Sequence, residues 1–455
     1  MSLKKDFAKV AGSNVLLLIA STLNNFILPI ILTMGDYANY KTYLLYVHFI
    51  GFFHLGYVDG MNIKYGGVDV DQVDKKTFWA EHHVFLIFQA LITVVLLGVA
   101  VLRHSLVMML FALSVLPINM QSFFLFFTQA VGKFNVYAKS VIIVPFLMCI
   151  ATVIAFVFRS SVDYTIFCII YLISYLMSWF FLEKRTTQII PFSSKVIFKS
   201  LLNNHKAILY SGFFIMMGTI VFSFFMTTGR WLIKWMMDNN SFAIYSMASS
   251  LLGFVLVLVN AVNKVFYPYL CRNKDDSRKN ELLISVLLIL STLSLPFYFL
   301  LKLIILRFLP NYGESIEIVK LLLLTMPAVV IIQSYFINIY KAKKMERQYL
   351  RDGLIYVGIS LVLNFSFYFF SKSLISIAIA SVLSTYIWFF FPNKDIYTNQ
   401  QPIYRAMYLL LVVSAFLIVD AFIQNTYIAF LLSLAAIMLI NLMFQKKTIQ
   451  IVIHR

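Results

Sequence analysis

Cysteine is nearly missing from this chain: Cys149, Cys168 and Cys271 stand at unrelated positions in or beside apolar runs. They form no disulfide framework and no metal-ligand spacing. Charge is scarce, at 12% of residues, and acid is scarcest, with 19 Asp and Glu against 37 Lys and Arg. No Gly-x-x-x-x-Gly-Lys-Ser/Thr loop occurs, so nothing cradles a nucleoside triphosphate. No pair of carboxylates stands in an extramembrane position suited to acid–base chemistry. The sequence therefore offers nothing to an enzyme and implies no cofactor. A net charge of +18 would suggest nucleic acid in a soluble protein. Here it is read as membrane topology, because basic residues collect in cytoplasmic loops, and no nucleic-acid partner is expected.

What is present is apolar sequence, 61% of 455 residues. Runs of about 20 apolar residues, the length that crosses a bilayer as a helix, recur almost end to end. A barrel would instead show alternating segments of about ten residues. The fold class is therefore all-α integral membrane. Fourteen spans fit, near 9–33, 42–64, 83–102, 105–129, 138–158, 164–182, 207–235, 242–268, 282–308, 315–340, 352–370, 373–391, 404–423 and 426–445. An even number places both termini on one side. Lys and Arg in the loops and adjoining span ends number 28 on that side and 8 on the other, so both termini are expected in the cytoplasm. The basic start is followed by an apolar run too long for a signal peptide and is read as the entry to the first span. The basic cytoplasmic segments read as a solvated face near anionic lipid, and Asp69, Asp71 and Asp74 as loop and helix-cap residues.

Span four and span ten share a pattern. Pro117, Gln121-Ser122-Phe123-Phe124, Gly132-Lys133-Phe134 and Tyr137-Ala138-Lys139 are echoed by Pro327, Gln333-Ser334-Tyr335-Phe336, Lys343-Lys344-Met345 and Tyr349-Leu350-Arg351. Tyr37-Ala38-Asn39-Tyr40 is echoed by Phe242-Ala243-Ile244-Tyr245. The offsets run from 205 to 212. Both members of each pair enter the membrane from the same side, so the expectation is two parallel six-helix lobes, 1–190 and 191–391, with two further spans in 392–455.

Cations at membrane depth are costly and face a partner or a wet cavity. Arg230 and Lys234, one helical turn apart between Trp231 and Trp235, follow the apolar run Ile208 to Met226. They read either as an anion-greeting pair or as snorkelling anchors beside an aromatic belt. Other polar groups in the spans are Asn24 and Asn25 in span one, and Asn260, Asn263 and Lys264 in span eight. Lys320, Pro327, Ser334 and Lys341 in span ten stand at heptad spacing, one expected stripe, with Asn338 a turn beyond Ser334. Intramembrane acids are fewer: Asp59, Asp420 and the marginal Glu317. A cationic, amide-rich path suits a phosphate-bearing, hydroxyl-rich substrate. In span two, His48 and Asp59 would share a face over three turns of one helix, with His54 nearby. They read either as a proton relay or as Asp59 pairing with Lys64 while the histidines satisfy carbonyls.

The span-two sequence Phe53-His-Leu-Gly-Tyr-Val-Asp-Gly-Met-Asn-Ile-Lys-Tyr-Gly-Gly67, with Gly229-Arg230-Trp231, Phe242-Ala-Ile-Tyr245 and Val265-Phe-Tyr-Pro-Tyr-Leu270, resembles the Wzx-type polysaccharide flippases. These form a branch of the multidrug/oligosaccharidyl-lipid/polysaccharide exporter superfamily. That family's seventh helix often carries an Asp-Arg pair, and here Gly229 stands in place of the acid. The resemblance spans roughly residues 5 to 390. It implies movement of polyprenyl-pyrophosphate-linked oligosaccharide across the bacterial cytoplasmic membrane, for O-antigen, lipopolysaccharide, capsule or exopolysaccharide. It implies alternating access driven by an H+ or Na+ gradient, and polymerase and chain-length proteins as pathway partners. A cation-coupled multidrug exporter and a peptidoglycan lipid-precursor flippase share the architecture. A polymerase or ligase would need a large outer loop, which the sequence does not have.

Overall fold

The computed structural model describes residues 20, 23–158, 162–192, 198–397, 402–446, 448 and 450; the side chains of 198–205, 207, 211 and 254–269 lie outside that description. Among the described residues every regular element is a helix. Lipid offers the backbone no hydrogen-bonding partner, so each crossing segment must satisfy its own amides and carbonyls. Among the described residues nine helices are long and apolar enough to cross a membrane, or ten with one bent pair counted as a single span. The chain is a multi-pass membrane protein.

In chain order the helices are α1 (23–31), α2 (Met34–Val47), α3 (Tyr57–Tyr65), α4 (Lys75–Leu102), α5 (Leu106–Ala130), α6 (Phe134–Val157), α7 (Tyr164–Ile189), α8 (Phe198–Met236) and α9 (Asn239–Asn273). There follow α10 (Ser277–Thr292), α11 (Phe297–Phe308), α12 (Ser315–Leu324), α13 (Met326–Ile331), α14 (Ile337–Ala342), α15 (Glu346–Ser371), α16 (Leu374–Phe390), α17 (Pro402–Phe422) and α18 (Thr426–Phe444). Eleven of these stand alone, and α2–α3, α10–α11 and α12–α14 form three broken helices. Among the described residues the resulting fourteen segments agree roughly with the fourteen expected spans.

Short polar side chains set the helix starts. Thr33, Asp74, Ser105, Asp163, Asp238, Asp276, Ser373 and Asn425 each accept a main-chain N–H of the first turn. Each satisfies an amide that has no partner within its helix. Asp74 is thus the helix cap the sequence suggested.

The chain forms two compact units, Met1–Ser223 and Phe224–Arg455. Their local geometry repeats. Thr33 and Asp238 cap α2 and α9 at an offset of 205, and Asp163 and Ser373 cap α7 and α16 at 210. The exits of α5 and α14 are the same turn at an offset of 212. Gly132 and Lys344 are left-handed, at φ 73° and 57°. Lys133 N–H donates to the Thr128 carbonyl at 2.8 Å, and Met345 N–H to the Tyr340 carbonyl at 2.9 Å. These are the bonds of a left-handed helix end. The sequence pairing of Gly132 with Lys343 therefore shifts by one, to Lys344.

Two expectations about helix bodies are corrected. Span two is not one helix. After α2 the chain makes a 3-10 turn, Ile50–His54, then passes through Leu55 (φ 49°) and Gly56 (φ 83°) before α3. His48 and Asp59 therefore do not share a continuous helical face. The cause is a backbone-to-backbone crossing with α8. A Cβ on Gly56 would lie 2.5 Å from the Phe213 nitrogen, and one on Gly60 2.0 Å from the Ile208 carbonyl oxygen. One on Gly212 would lie 1.9 Å from the Gly56 carbonyl oxygen. Only glycine permits that approach. Span ten is not one stripe either: α12 and α13 bend by 44° at Thr325, ahead of Pro327. A π-helical turn, Ile332–Phe336, then rotates the register before α14. Pro327 lacks an amide for the ladder, and the π turn absorbs extra chain.

Candidate functional site

Arg230 and Lys234 stand at i and i+4 on α8, and both lie over the ring of Phe242 on α9. The guanidinium carbon is 6.0 Å from the ring centroid and the ammonium 5.3 Å. Lys234 also donates to Asn239 Oδ1 at 3.1 Å. A ring face attracts a cation by about 0.5–2 kcal/mol. Gly229 is needed for this packing. A Cβ there would lie 2.7 Å from the Tyr245 hydroxyl, 3.1 Å from Ile377 Cγ2 and 3.2 Å from Ser381 Oγ. The position where the resembling family carries an acid is thus filled by Tyr245.

Unit 1 has a counterpart at the repeat-related place, which the sequence reading missed. Lys41 on α2, buried at 4% exposure, lies 5.1 Å from the centroid of Tyr37, the residue equivalent to Phe242. Its ammonium donates to Asn25 Oδ1 at 3.3 Å. Asn24 beside it is half-buried. The signal was available: the Tyr37 and Phe242 echo, with Lys41 one helical turn beyond Tyr37. It was lost because Lys41 was placed in a loop.

His54 and Asp59 are brought together across the break, His54 Nε2 to Asp59 Oδ2 at 4.0 Å. Gly56 N–H donates to His54 Nδ1 at 3.2 Å, which leaves Nε2 facing the acid. His48, the cap of α2, is exposed and stands against Phe49. Asp59 does not pair with Lys64. That lysine meets Glu81, fully buried on α4, whose other oxygen accepts from Tyr65 Oη at 2.9 Å. Glu81 was missed because span three was read as starting at 83, whereas Asp74 starts the helix eight residues earlier. Below the break, Gln89 donates to the Phe53 carbonyl at 3.1 Å and accepts from Asn119 at 2.7 Å. It so satisfies a carbonyl that the broken helix cannot.

Lys320 is not a lone cation. It pairs with Asp420 at 3.0 Å and with Glu317 at 2.6 Å, and Asp420 also meets Lys302 at 3.5 Å. These pairs join α17 to α11 and α12. Arg405, at the other end of α17, joins Glu281 and Tyr397. Ser334 and Asn338 are buried in and just after the π turn, where Asn338 donates to the Ser334 carbonyl at 2.9 Å. The side chains of Asn260, Asn263 and Lys264 lie outside the described residues.

By sequence, no family model and no curated protein matches the chain. By structure, it is similar to the lipid II flippase MurJ in an inward closed conformation, with a TM-score of 0.72 at 14% identity. That match takes in 98% of this chain and 99% of the other. It is also similar to the Vibrio cholerae MATE transporter VcmN, with a TM-score of 0.55 at 13% identity, over 84% of this chain and 95% of the other. The chain has the fold of these membrane transporters. Neither relative is described as an enzyme. At such identity the likeness speaks for architecture alone.

Proposed function

We propose that this protein is a flippase for polyprenyl-pyrophosphate-linked oligosaccharide, feeding surface polysaccharide synthesis from the cytoplasmic membrane, with both termini in the cytoplasm. The observation that carries the reading is the extent of the structural match. The likeness to a lipid II flippase takes in 98% of the chain, whereas the likeness to a MATE transporter takes in 84%. A flippase match thus includes a chain with two helices beyond the twelve-span lobes, here α17 and α18. Lobes 1–190 and 191–391 would rock about the path, with 392–455 as the added pair. Arg230 and Lys234 would meet the pyrophosphate, with Lys41 and Asn25 as their counterparts in the first repeat. The amides Asn24, Asn260, Asn263 and Asn338, with Lys264 and Ser334, would line the glycan path. Lys320 serves the α17 junction through Asp420. An H+ or Na+ gradient is the drive, with His54 and Asp59 as the ion-responsive pair and His48 at their margin. A polymerase and a chain-length protein would act downstream.

Leaflet-resolved labelling of lipid-linked glycan, in cells with and without this chain, tests the reading. Unflipped intermediate should accumulate on the cytoplasmic leaflet in its absence. Arg230→Ala with Lys234→Ala should reproduce that accumulation at normal protein levels; wild-type surface glycan in the double variant removes the pair from the mechanism. The MurJ likeness also favours a second cargo, the peptidoglycan precursor. In that case depletion stops growth and the accumulating lipid carries muropeptide rather than a polysaccharide repeat.

A further inference from the structure

His82 occupies an unusual place on α4. It is 3% exposed, and both ring nitrogens have no hydrogen-bonding partner among the described residues. It is enclosed by Trp79, Phe123 and Phe124, with ring centroids at 5.3, 5.8 and 5.1 Å. A buried polar group left unmet costs about 1–3 kcal/mol, so its place calls for a ligand. The acid in reach is Glu183 on α7, whose Oε1 lies 3.9 Å from His82 Nε2 and whose side chain is 29% exposed. That distance is too long for a hydrogen bond. Beside it the joint between these helices is already fastened once, by Trp79 Nε1 donating to the Ile190 carbonyl at 3.2 Å. The other titratable neighbours are His83 and Glu81, and His83 also acts electrostatically on both His82 and Glu183. His83 bonds the Trp79 carbonyl, and Glu81 is satisfied by Lys64 and Tyr65. The α5 face contributes Phe123 and Phe124.

We propose that His82 and Glu183 form a proton-binding site in unit 1, in which one proton taken up by the pair closes the 3.9 Å gap into a charge-assisted hydrogen bond and draws α4 onto α7. Glu183 reaches solvent and passes the proton inward; His82 holds it against the carboxylate. The site is separate from the His54–Asp59 pair and does not depend on the identity of the cargo.

The test is a pH titration of the full chain in nanodiscs, with histidine labelled at 13Cε1 and read by NMR. One histidine resonance, titrating at lower pH than the exposed histidines, should vanish in His82→Gln, persist in His83→Gln, and move to lower pH still by at least half a unit in Glu183→Gln. Persistence of every titrating resonance in His82→Gln overturns the proposal, and a bound water in place of a proton gives that result. An unchanged midpoint in Glu183→Gln also overturns it. Because Glu183 is partly exposed, that variant reads the pair even if His82→Gln does not fold.

Discussion

The second helix of each repeat enters the membrane in the same way and leaves it differently. Thr33 and Asp238 cap α2 and α9 at equivalent places, and Tyr37-Ala38 and Phe242-Ala243 are fully buried behind them. Yet α9 runs unbroken for 35 residues, whereas the unit 1 segment breaks after 14. The fourth helices reverse this: α5 is continuous through Pro117, whereas α12–α14 bend and then make a π turn. Helix ends follow local signals, a capping oxygen or a left-handed residue. Helix bodies follow what they pack against. Where unit 1 has Gly56 and Gly60, the offset of 205 puts Ala261 and Val265 in unit 2, and a Cβ holds a neighbouring backbone farther away than glycine does.

The comparison breaks most directly at that crossing. Gly212→Ala puts a methyl against the Gly56 carbonyl, and overpacking of this kind costs roughly 1–3 kcal/mol or more. Gly253→Ala in the unbroken α9, where a Cβ meets nothing within 4 Å, should be neutral or stabilise by up to about 1 kcal/mol. Thermal unfolding of the full chain in nanodiscs reads both. Equal effects would mean the crossing does not dictate the break.

A second contrast lies in the buried ion pairs. In unit 1, Glu81 is fully buried with Lys64 as its cation. In unit 2, Asp420 is shared by Lys302 and Lys320. Removing one partner of a buried pair costs about 3–5 kcal/mol when the other charge is stranded, and Lys64 is one-third exposed, so Lys64→Ala should lose about 3 kcal/mol. Lys320→Ala leaves Asp420 its second lysine and should lose about 1 kcal/mol. Adding Glu81→Gln to Lys64→Ala should recover most of the loss, since no charge is then stranded. The reverse order in chemical denaturation would show that sharing does not protect the unit 2 cluster.

The sequence made much of this legible. Apolar run length alone yields fourteen segments, and the echoes at 205 to 212 mark turns that are the same in both units. The shift from 210 at Pro117 and Pro327 to 212 at Gln121 and Gln333 falls where the π turn Ile332–Phe336 takes up extra chain. Pairings across helices were not legible. Heptad spacing put Lys320 on one stripe with Lys341, but its charge is met by Asp420, 100 residues on. Lys41 was hidden because Thr33 starts a helix eight residues ahead of the expected span. Glu81 and His82 were hidden in the same way behind Asp74. A cap moves a charged residue from loop to helix, and no hydropathy run reports it.

The smallest predicted effect sharpens the comparison at the two caps themselves. Thr33 Oγ1 accepts from the Asp36 N–H at 3.1 Å, and Asp238 Oδ1 from the Ser241 N–H at 2.8 Å. Either cap is worth about 1 kcal/mol against alanine near neutral pH. Only one of them titrates. The Ser241 main-chain N–H, joined by its hydroxyl, favours the charged form and holds the Asp238 carboxyl below its ordinary value. A lowered folded-state value means the stabilisation is complete above the unfolded value, about 3.9, and is lost as pH falls through the folded one. The cost of Asp238→Ala should therefore shrink as pH is lowered from about 5 to 3, whereas the cost of Thr33→Ala should stay level. Asp238→Asn keeps a capping oxygen without a charge, so its stability relative to Asp238→Ala should not depend on pH. If the Asp238→Ala and Thr33→Ala profiles run parallel through the acid range, the charge on Asp238 adds nothing, and the two caps are one device written with two residues.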